Sequence, residues 1–296
     1  MRTLNRSARR SASKRVLVTG AAGFFGRALA AELRQAGSKP TLSDLRPGAV
    51  GGLPCRRCDL TDYSAVKRLL RAAAPVEIYH LAGVFSGDYS ANYLGNFLPS
   101  KNILEAVREL GLECRVLLVG SAAEYGAPQR NPVPETAPLR PVNFYGFAKT
   151  QQTRLAEYYN RVYGSDIVVA RVFNLTGPGV SEALFPGRVA RQIEDYKKRK
   201  AAKITVGRLD SRRDYMQVAD AGAALVRVMA AGAPGEVYNV GSGRPVRMRT
   251  LLGRMLKAAG VPFSAVKSVP GKAGRLDVDC IYADINKLNA LKAVAG

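Results

Sequence analysis

The stretch Val16-Leu17-Val18-Thr19-Gly20-Ala21-Ala22-Gly23-Phe24-Phe25-Gly26 decides the fold. Arg15–Thr19 reads as a short buried strand, and three glycines at i, i+3 and i+6 carry the chain into an amphipathic pattern over Arg27–Gln35, stopped by Gly37. Each glycine has a separate task in such a strand–turn–helix. Gly20 makes the tight turn, Gly23 lets backbone approach a pyrophosphate, and Gly26 lets helix close on strand. The helix N-terminus adds N–H groups and a positive dipole end for the phosphates. The bland alternative is a glycine-rich turn without a ligand. The strand before it and the helix after it favour a dinucleotide site.

Strand and helix patterns then alternate. Strands are expected at Pro40–Ser43, from Cys55 to Asp59, and at Val76–Leu81, Arg115–Gly120 and Ile167–Val172. Helices are expected at Asp62–Ala74 (Thr61 as N-cap), Asn96–Leu110 and Phe144–Tyr163. This rhythm predicts α/β architecture with a doubly wound parallel sheet. After Asn174 the rhythm changes: Gly and Pro cluster, a basic amphipathic helix follows, and short strands are expected near Ile204 and Val237. The expected organisation is a disordered basic tail over 1–13 and a nucleotide-binding domain over 14–174, to which 218–240 return. A small C-terminal lobe for substrate comprises 175–217 and 241–296.

The chain has 296 residues and a formal charge of +22. Segments 1–15, 188–213 and 244–275 carry +6, +7 and +8, so the rest is nearly neutral. The partner of the C-terminal half is therefore expected to be anionic. No apolar run reaches the roughly 18–20 residues of a membrane span, and no secretory signal is evident, so a cytoplasmic protein without a membrane partner is expected. Cys55 and Cys58 form a C-x-x-C, but four cysteines and one histidine, His80, supply neither a disulfide framework nor a zinc set; no metal is expected. His80 ends an apolar strand and reads as packed and hydrogen-bonded rather than as a base.

Asp44 closes the second strand about twenty residues past the glycines, where an acid holds the adenosine ribose hydroxyls. That favours NAD(H) over NADP(H), while Arg46 is placed to meet a 2′-phosphate. Asp59 stands where it can contact the adenine amine or cap a helix. Tyr145 and Lys149, at i and i+4, share one helix face, so the ammonium is expected to lower the phenol's pKa and make Tyr145 a general acid or base. Ser121 follows a strand end, where its hydroxyl can bond a reacting oxygen.

Together, Gly-x-x-Gly-x-x-Gly, Ser121 and Tyr145-x-x-x-Lys149 resemble the extended short-chain dehydrogenase/reductases. The resemblance runs from Arg15 to Leu291. It includes Asn96 with Asn102–Ala106, Arg171–Asn174 with Thr176–Gly179, Arg212–Tyr215, and Tyr238–Gly243. It implies a Rossmann-type sheet and a homodimer of an NAD(P)-dependent enzyme acting on a nucleotide-linked sugar. It also implies catalysis by Ser121, Tyr145 and Lys149, with further cofactor contacts from Phe24, Phe25, Leu60, Leu81, Ala82, Gly83 and Asn96. Asn174, Arg191, Arg213 and Arg275 are the implied substrate contacts. Val189–Ile193 and the residues around Arg213 are most similar to reductases that convert GDP-4-keto-6-deoxy-D-mannose to GDP-D-rhamnose. An epimerase or dehydratase on the same scaffold is the near rival. A nucleic-acid-binding member of the fold is the rival from another class, prompted by the charge but not favoured.

The sequence departs from the family pattern at several positions. Pro99 stands for a common glycine, and Leu175 for the usual histidine after the substrate-binding asparagine. Ala123 stands where dehydratases carry an acid, with Glu124 one place later. In an extended segment Ser121 and Ala123 share one side and Glu124 faces the other, which speaks against a dehydratase.

Overall fold

The computed structural model describes residues 14–269 and 278–291; the segment 1–13 and Arg275 lie outside the described residues. The strands of the main sheet are β1 (Val16–Thr19), β2 (Thr41–Asp44), β3 (Gly48–Val50), β4 (Leu53–Arg57), β5 (Glu77–His80), β6 (Arg115–Ser121) and β7 (Ile167–Val172). After β8 (Asn174–Thr176), β9 (Ile204–Val206) and β10 (Arg212–Gln217), which lie elsewhere, β11 (Val237–Val240) completes it. Their order is β11-β7-β6-β5-β1-β2-β4-β3, and every pairing is parallel except that of β3 with β4. This is a Rossmann-type, doubly wound sheet. Strand β3 was not expected: Gly51 and Gly52, at φ +57° and +81°, fold the chain back into a tight hairpin.

Helices α1 (Phe24–Gln35), α2 (Tyr63–Ala73), α3 (Tyr89–Asn92), α4 (Leu98–Glu109), α5 (Phe144–Tyr163), α6 (Phe185–Lys197) and α7 (Val218–Ala231) follow in chain order. The central strands are apolar on both faces, and their period of two sorts side chains between two layers. Val16 and Val18 pack with Leu29, Leu225 and Val228 of α1 and α7. Leu17 faces the opposite way, into Val66, Leu70, Ile103 and Ala156 of α2, α4 and α5. Cores on both sides leave only the strand ends open to ligand.

The remaining strands β12 (Pro245–Arg247), β13 (Val266–Ser268) and β14 (Cys280–Ile281), with helices α8 (Met248–Ala259) and α9 (Asn286–Ala290), follow in the C-terminal half. Strand β10 pairs with β8, β12 and β14, and β9 pairs with β13. Val189 and Ile193 of α6 and Leu252 and Leu256 of α8 share a core with Ile204 and Val206. No helix among the described residues is long and apolar enough to cross a membrane, and none of the described His, Cys, Asp and Glu side chains form a metal-sized group.

Some boundaries differ from expectation. The α2 cap is Asp62, whose side chain accepts from the N–H groups of Ser64 and Ala65, and not Thr61. Strand β4 ends at Arg57, before Asp59. Asn96 lies in a π-helical stretch, Tyr93–Phe97, that precedes α4. Such a stretch holds an extra residue in the turn and is frequent at functional sites; here it brings Asn96 fully inside.

Candidate active site

The sheet order reverses between β1 and β5, and the crevice at their C-terminal ends is where an α/β sheet takes its ligand. The Gly20 turn and Leu81–Gly83 line it from the two sides. At φ +71°, Gly20 lies so close to the next loop that a Cβ there would stand 2.5 Å from the Ala82 amide nitrogen. A Cβ on Gly26 would run into the Gly20 carbonyl. No side chain caps α1 at Gly23, so the first-turn N–H groups of Phe24 and Phe25 remain available to an anion. The cradle therefore fits a dinucleotide pyrophosphate.

At the adenosine end, Asp44 Oδ2 accepts from Ala22 N at 3.0 Å, and Oδ1 accepts from Arg46 N at 3.1 Å. Arg46 Nε stands 3.8 Å from the same carboxylate on an otherwise exposed side chain. The Asp59 carboxylate accepts from the Thr61 amide and hydroxyl, at 2.9 and 2.7 Å, which hold its pKa down. Asp59 thus closes a local turn and caps no helix. Leu60 is buried, its carbonyl bonded by Asn102.

Strand β6 delivers Ser121, and α5 delivers Tyr145 and Lys149 from its first two turns. Asn143 caps that helix, accepting from Gly146 N at 2.8 Å. Gly146, inside the Tyr–Lys motif, lies against the Ala123 carbonyl with no room for a Cβ. This close approach lets α5 seat Tyr145 beside Ser121, whose side chain acts on the phenol. Phe85 packs edge-on against the Tyr145 ring at 5.2 Å. Lys149 is buried; its Nζ donates to the Val119 carbonyl at 2.8 Å and to Gln152 Oε1 at 2.9 Å. Gly83 sits at the same point: a Cβ on it would stand 2.7 Å from Asn96 Oδ1 and 3.5 Å from Lys149 Nζ. Asn96 is held by both backbone groups of Val84.

The electrostatics correct one expectation. Burial pushes the Tyr145 phenol up, Ser121 partly offsets this, and the Glu124 charge adds to the rise. Burial lowers Lys149 to about 8, against the pull of Glu124. Tyr145 therefore holds its proton at neutral pH. His80 accords with its sequence reading: it is buried between Thr19 Oγ1 at 2.8 Å and Ser100 Oγ at 3.0 Å, and burial and the Lys149 charge lower its pKa to about 3.

Glu124 departs from its expected surroundings. The strand ends at Ser121, and Ala122–Glu124 form a 3₁₀ turn, so simple alternation does not apply. The turn sends Glu124 into the interior. There Oε1 accepts from Ser121 N at 2.8 Å, and Oε2 accepts from Thr153 Oγ1 at 2.8 Å and Arg171 Nε at 2.9 Å. The network continues from Arg171 to the Tyr125 hydroxyl, which donates to Asn239 Oδ1 at 2.7 Å. Sequence reading missed this network, in which Tyr125 and Asn239 lie 114 positions apart.

On the substrate side, Asn174 Nδ2 donates to the Asp214 carbonyl at 3.0 Å. Arg213 stands half-buried on β10, and it and Arg188 both act on the phenol of Tyr215. Arg188, on α6, was not singled out in the sequence. Arg191, one turn on, is exposed and ion-paired to Asp195 at 3.1 Å. The Arg212–Tyr215 and Tyr238–Gly243 segments form one unit. The buried Asp214 carboxylate accepts from the N–H groups of Ser242, Gly243 and Ala283, at 2.8, 3.0 and 3.1 Å, tying β10 to the turn after β11.

Comparison with known proteins agrees with this geometry. Residues 16–241 match the model of the NAD dependent epimerase/dehydratase family. The chain is 30% identical to the GDP-6-deoxy-D-mannose reductase of Pseudomonas aeruginosa, over 86% of this chain and 83% of that one. Its fold is similar to the Thermus thermophilus UDP-glucose 4-epimerase in complex with NAD (TM-score 0.82, 28% identity, 95% and 94% of the two chains). It is likewise similar to RMD of Pseudomonas aeruginosa complexed with NADPH (TM-score 0.80, 27% identity, 93% and 91%). The chain belongs to the NAD dependent epimerase/dehydratase family, within the extended short-chain dehydrogenase/reductases.

Proposed function

We propose that this protein is a cytoplasmic NAD(P)H-dependent reductase of the 4-keto group of a nucleotide-diphospho-4-keto-6-deoxy sugar, converting GDP-4-keto-6-deoxy-D-mannose to GDP-D-rhamnose. The observation that carries the reading is the fate of Glu124. A 4,6-dehydratase needs an acid/base pair beyond Ser121, Tyr145 and Lys149. Here the carboxylate of Glu124, next after Ala123, is held in the interior by Arg171 and Thr153, and Ala123 offers no proton. A ketone reduction needs one hydride, which a bound reduced dinucleotide would supply, and one proton, which this set can deliver. The likeness to the GDP-6-deoxy-D-mannose reductase supports the choice of sugar and base.

The dinucleotide, held by Gly20, Gly23, Gly26, Leu81, Ala82, Gly83 and Asn96, supplies the hydride when bound. Ser121 bonds the substrate carbonyl oxygen, and Tyr145, kept protonated by burial, donates its phenol proton there. Lys149 holds the nicotinamide ribose hydroxyls. Asp44 at the adenosine ribose favours NAD(H), with Arg46 as the route to NADP(H). Asn174 and Arg213 clamp the diphosphate, a guanidinium meeting phosphate oxygens two at a time; Arg191 and Arg275 are assigned with them. Residues 14–174 with 218–240 hold the cofactor, and 175–217 with 241–296 the substrate. A homodimer is supported by the exposed apolar side chains of the α3–α5 surface: Tyr89, Leu94, Phe144, Phe147, Tyr158 and Val162.

The likeness to a UDP-glucose 4-epimerase favours a second reading, epimerisation with retained NAD⁺. Two incubations separate the possibilities: GDP-mannose with catalytic NAD⁺, and the 4-keto-6-deoxy sugar nucleotide with NADH. NADH oxidation in the second, without water loss in the first, is expected. Water loss in the first with no oxidation in the second would overturn the reductase assignment.

A further inference from the structure

Outside the crevice, the loop between β6 and α5 encloses a cavity of about 330 Å³. Its lining includes Pro128, Gln129, Arg130, Thr136, Pro138 and Arg140. That volume is at the small end of the range for small-molecule sites, roughly 300–1,000 Å³. No acidic residue lines it. Among the described residues, neither Arg130 nor Arg140 meets a carboxylate or any other hydrogen-bond acceptor. Other described arginines facing acids are paired, as Arg115 is with Asp166 and Arg171 with Glu124. Two guanidinium groups on one small cavity present an anion with two cationic partners. A phosphate group can take two N–H bonds from each fork. The Pro128 and Pro138 rings are rigid walls, so less order is lost on binding.

From these features we infer that this cavity is a second anion site, for a small phosphate-bearing molecule, separate from the dinucleotide and sugar sites. None of the residues assigned to cofactor, substrate or catalysis lines it. It is nonetheless built into the catalytic scaffold. The loop begins at Gly126, next to the buried Tyr125, and ends at Asn143, the cap of the helix that carries Tyr145. Gly126 lies against the Arg140 carbonyl without room for a Cβ, and a Cβ on Gly146 would stand 3.1 Å from Pro141. An anion bridging Arg130 and Arg140 would therefore stiffen the segment that holds Ser121 and Tyr145 together.

The test uses inorganic phosphate as probe on the full chain, with NADH present to occupy the pyrophosphate cradle and ionic strength held constant with chloride. Hydrogen exchange read by mass spectrometry should slow in peptides covering 127–142. The melting temperature should rise by about 3 °C at tenfold excess over Kd. In the Arg130→Ala/Arg140→Ala variant the protection should vanish and the apparent phosphate affinity fall at least tenfold. Both side chains are exposed, so the variant should fold, as unchanged NADH binding would verify. Arg130→Lys/Arg140→Lys, which keeps the charge but loses the planar forks, should show an intermediate loss. Three outcomes would overturn the site: no phosphate effect on the wild type, equal effects in wild type and double alanine variant, or protection confined to the glycine turn or the Arg213 strand.

Discussion

Glu124 and Arg171 form a fully buried ion pair, 2.9 Å between Oε2 and Nε, directly beneath the Ser121 amide that the same carboxylate accepts. The pair fixes the turn after Ser121 and holds Glu124 in the interior. Arg171→Leu leaves a carboxylate buried without its counterion, and should cost about 3–5 kcal/mol of stability by urea denaturation. Adding Glu124→Gln should restore part of that loss, because the neutral amide can still accept from Ser121. Additive losses in the double variant would argue against coupling between the two side chains.

Tyr145→Phe should lower turnover by roughly 10²–10⁴ while dinucleotide binding persists. Turnover near wild type would remove the phenol from the mechanism.

Lys149 titrates near 8 in the free enzyme, and Tyr145 above its ordinary range. As pH rises through about 8 the ammonium is lost first. The kcat/KM for ketone reduction, which reports the free enzyme, should therefore fall above about pH 8 with the slope of one proton. Lys149→Arg should move that limb to higher pH. A profile flat to pH 10 in the wild type would remove the ammonium from the rate.

His80 is neutral and buried, its pKa depressed to about 3. The unfolded chain takes up a proton near 6.5 that the folded protein refuses until about 3. Stability should thus be fully present above 6.5 and decline as pH falls from 6.5 toward 3, by at most ~1.4 kcal/mol per pH unit from this group. His80→Asn should flatten the dependence of urea midpoint on pH in that window. An unchanged slope would assign the acid sensitivity elsewhere.

On the proposed reading, Asp44→Ala removes an acceptor for the ribose hydroxyls and a charge that repels a 2′-phosphate. NADH affinity should fall by roughly tenfold to a hundredfold, the scale of one lost charged hydrogen bond. NADPH should fall less, since Arg46 remains. A wild type that already prefers NADPH would transfer control of the choice to Arg46.

What the chain declares along its own length was legible. The Gly20–Gly26 spacing, the apolar strands, and the Tyr145–Lys149 interval are local, and local geometry follows from neighbours a few residues apart. Helix α5 and strand β7 run over the same residues that periodicity indicates. What depends on distant segments was not legible. Alternation along a strand placed Glu124 opposite Ser121, yet a turn, and Arg171 from the neighbouring strand, decide where it goes. Asp214 finds its donors at Ser242, Gly243 and Ala283 only once β10 and the turn after β11 are folded together. The protonation of Tyr145 follows the same rule. An i, i+4 ammonium suggested a lowered pKa, but the phenol's pKa is governed first by burial, to which residues far apart in sequence contribute, and burial raises it. The sequence by itself determined the sheet, the glycine turn and the placing of Tyr145 and Lys149 on one helix. Only the tertiary structure decided which carboxylates are structural and which proton the site can give, because desolvation and pairing are properties of packed neighbours rather than of sequence spacing.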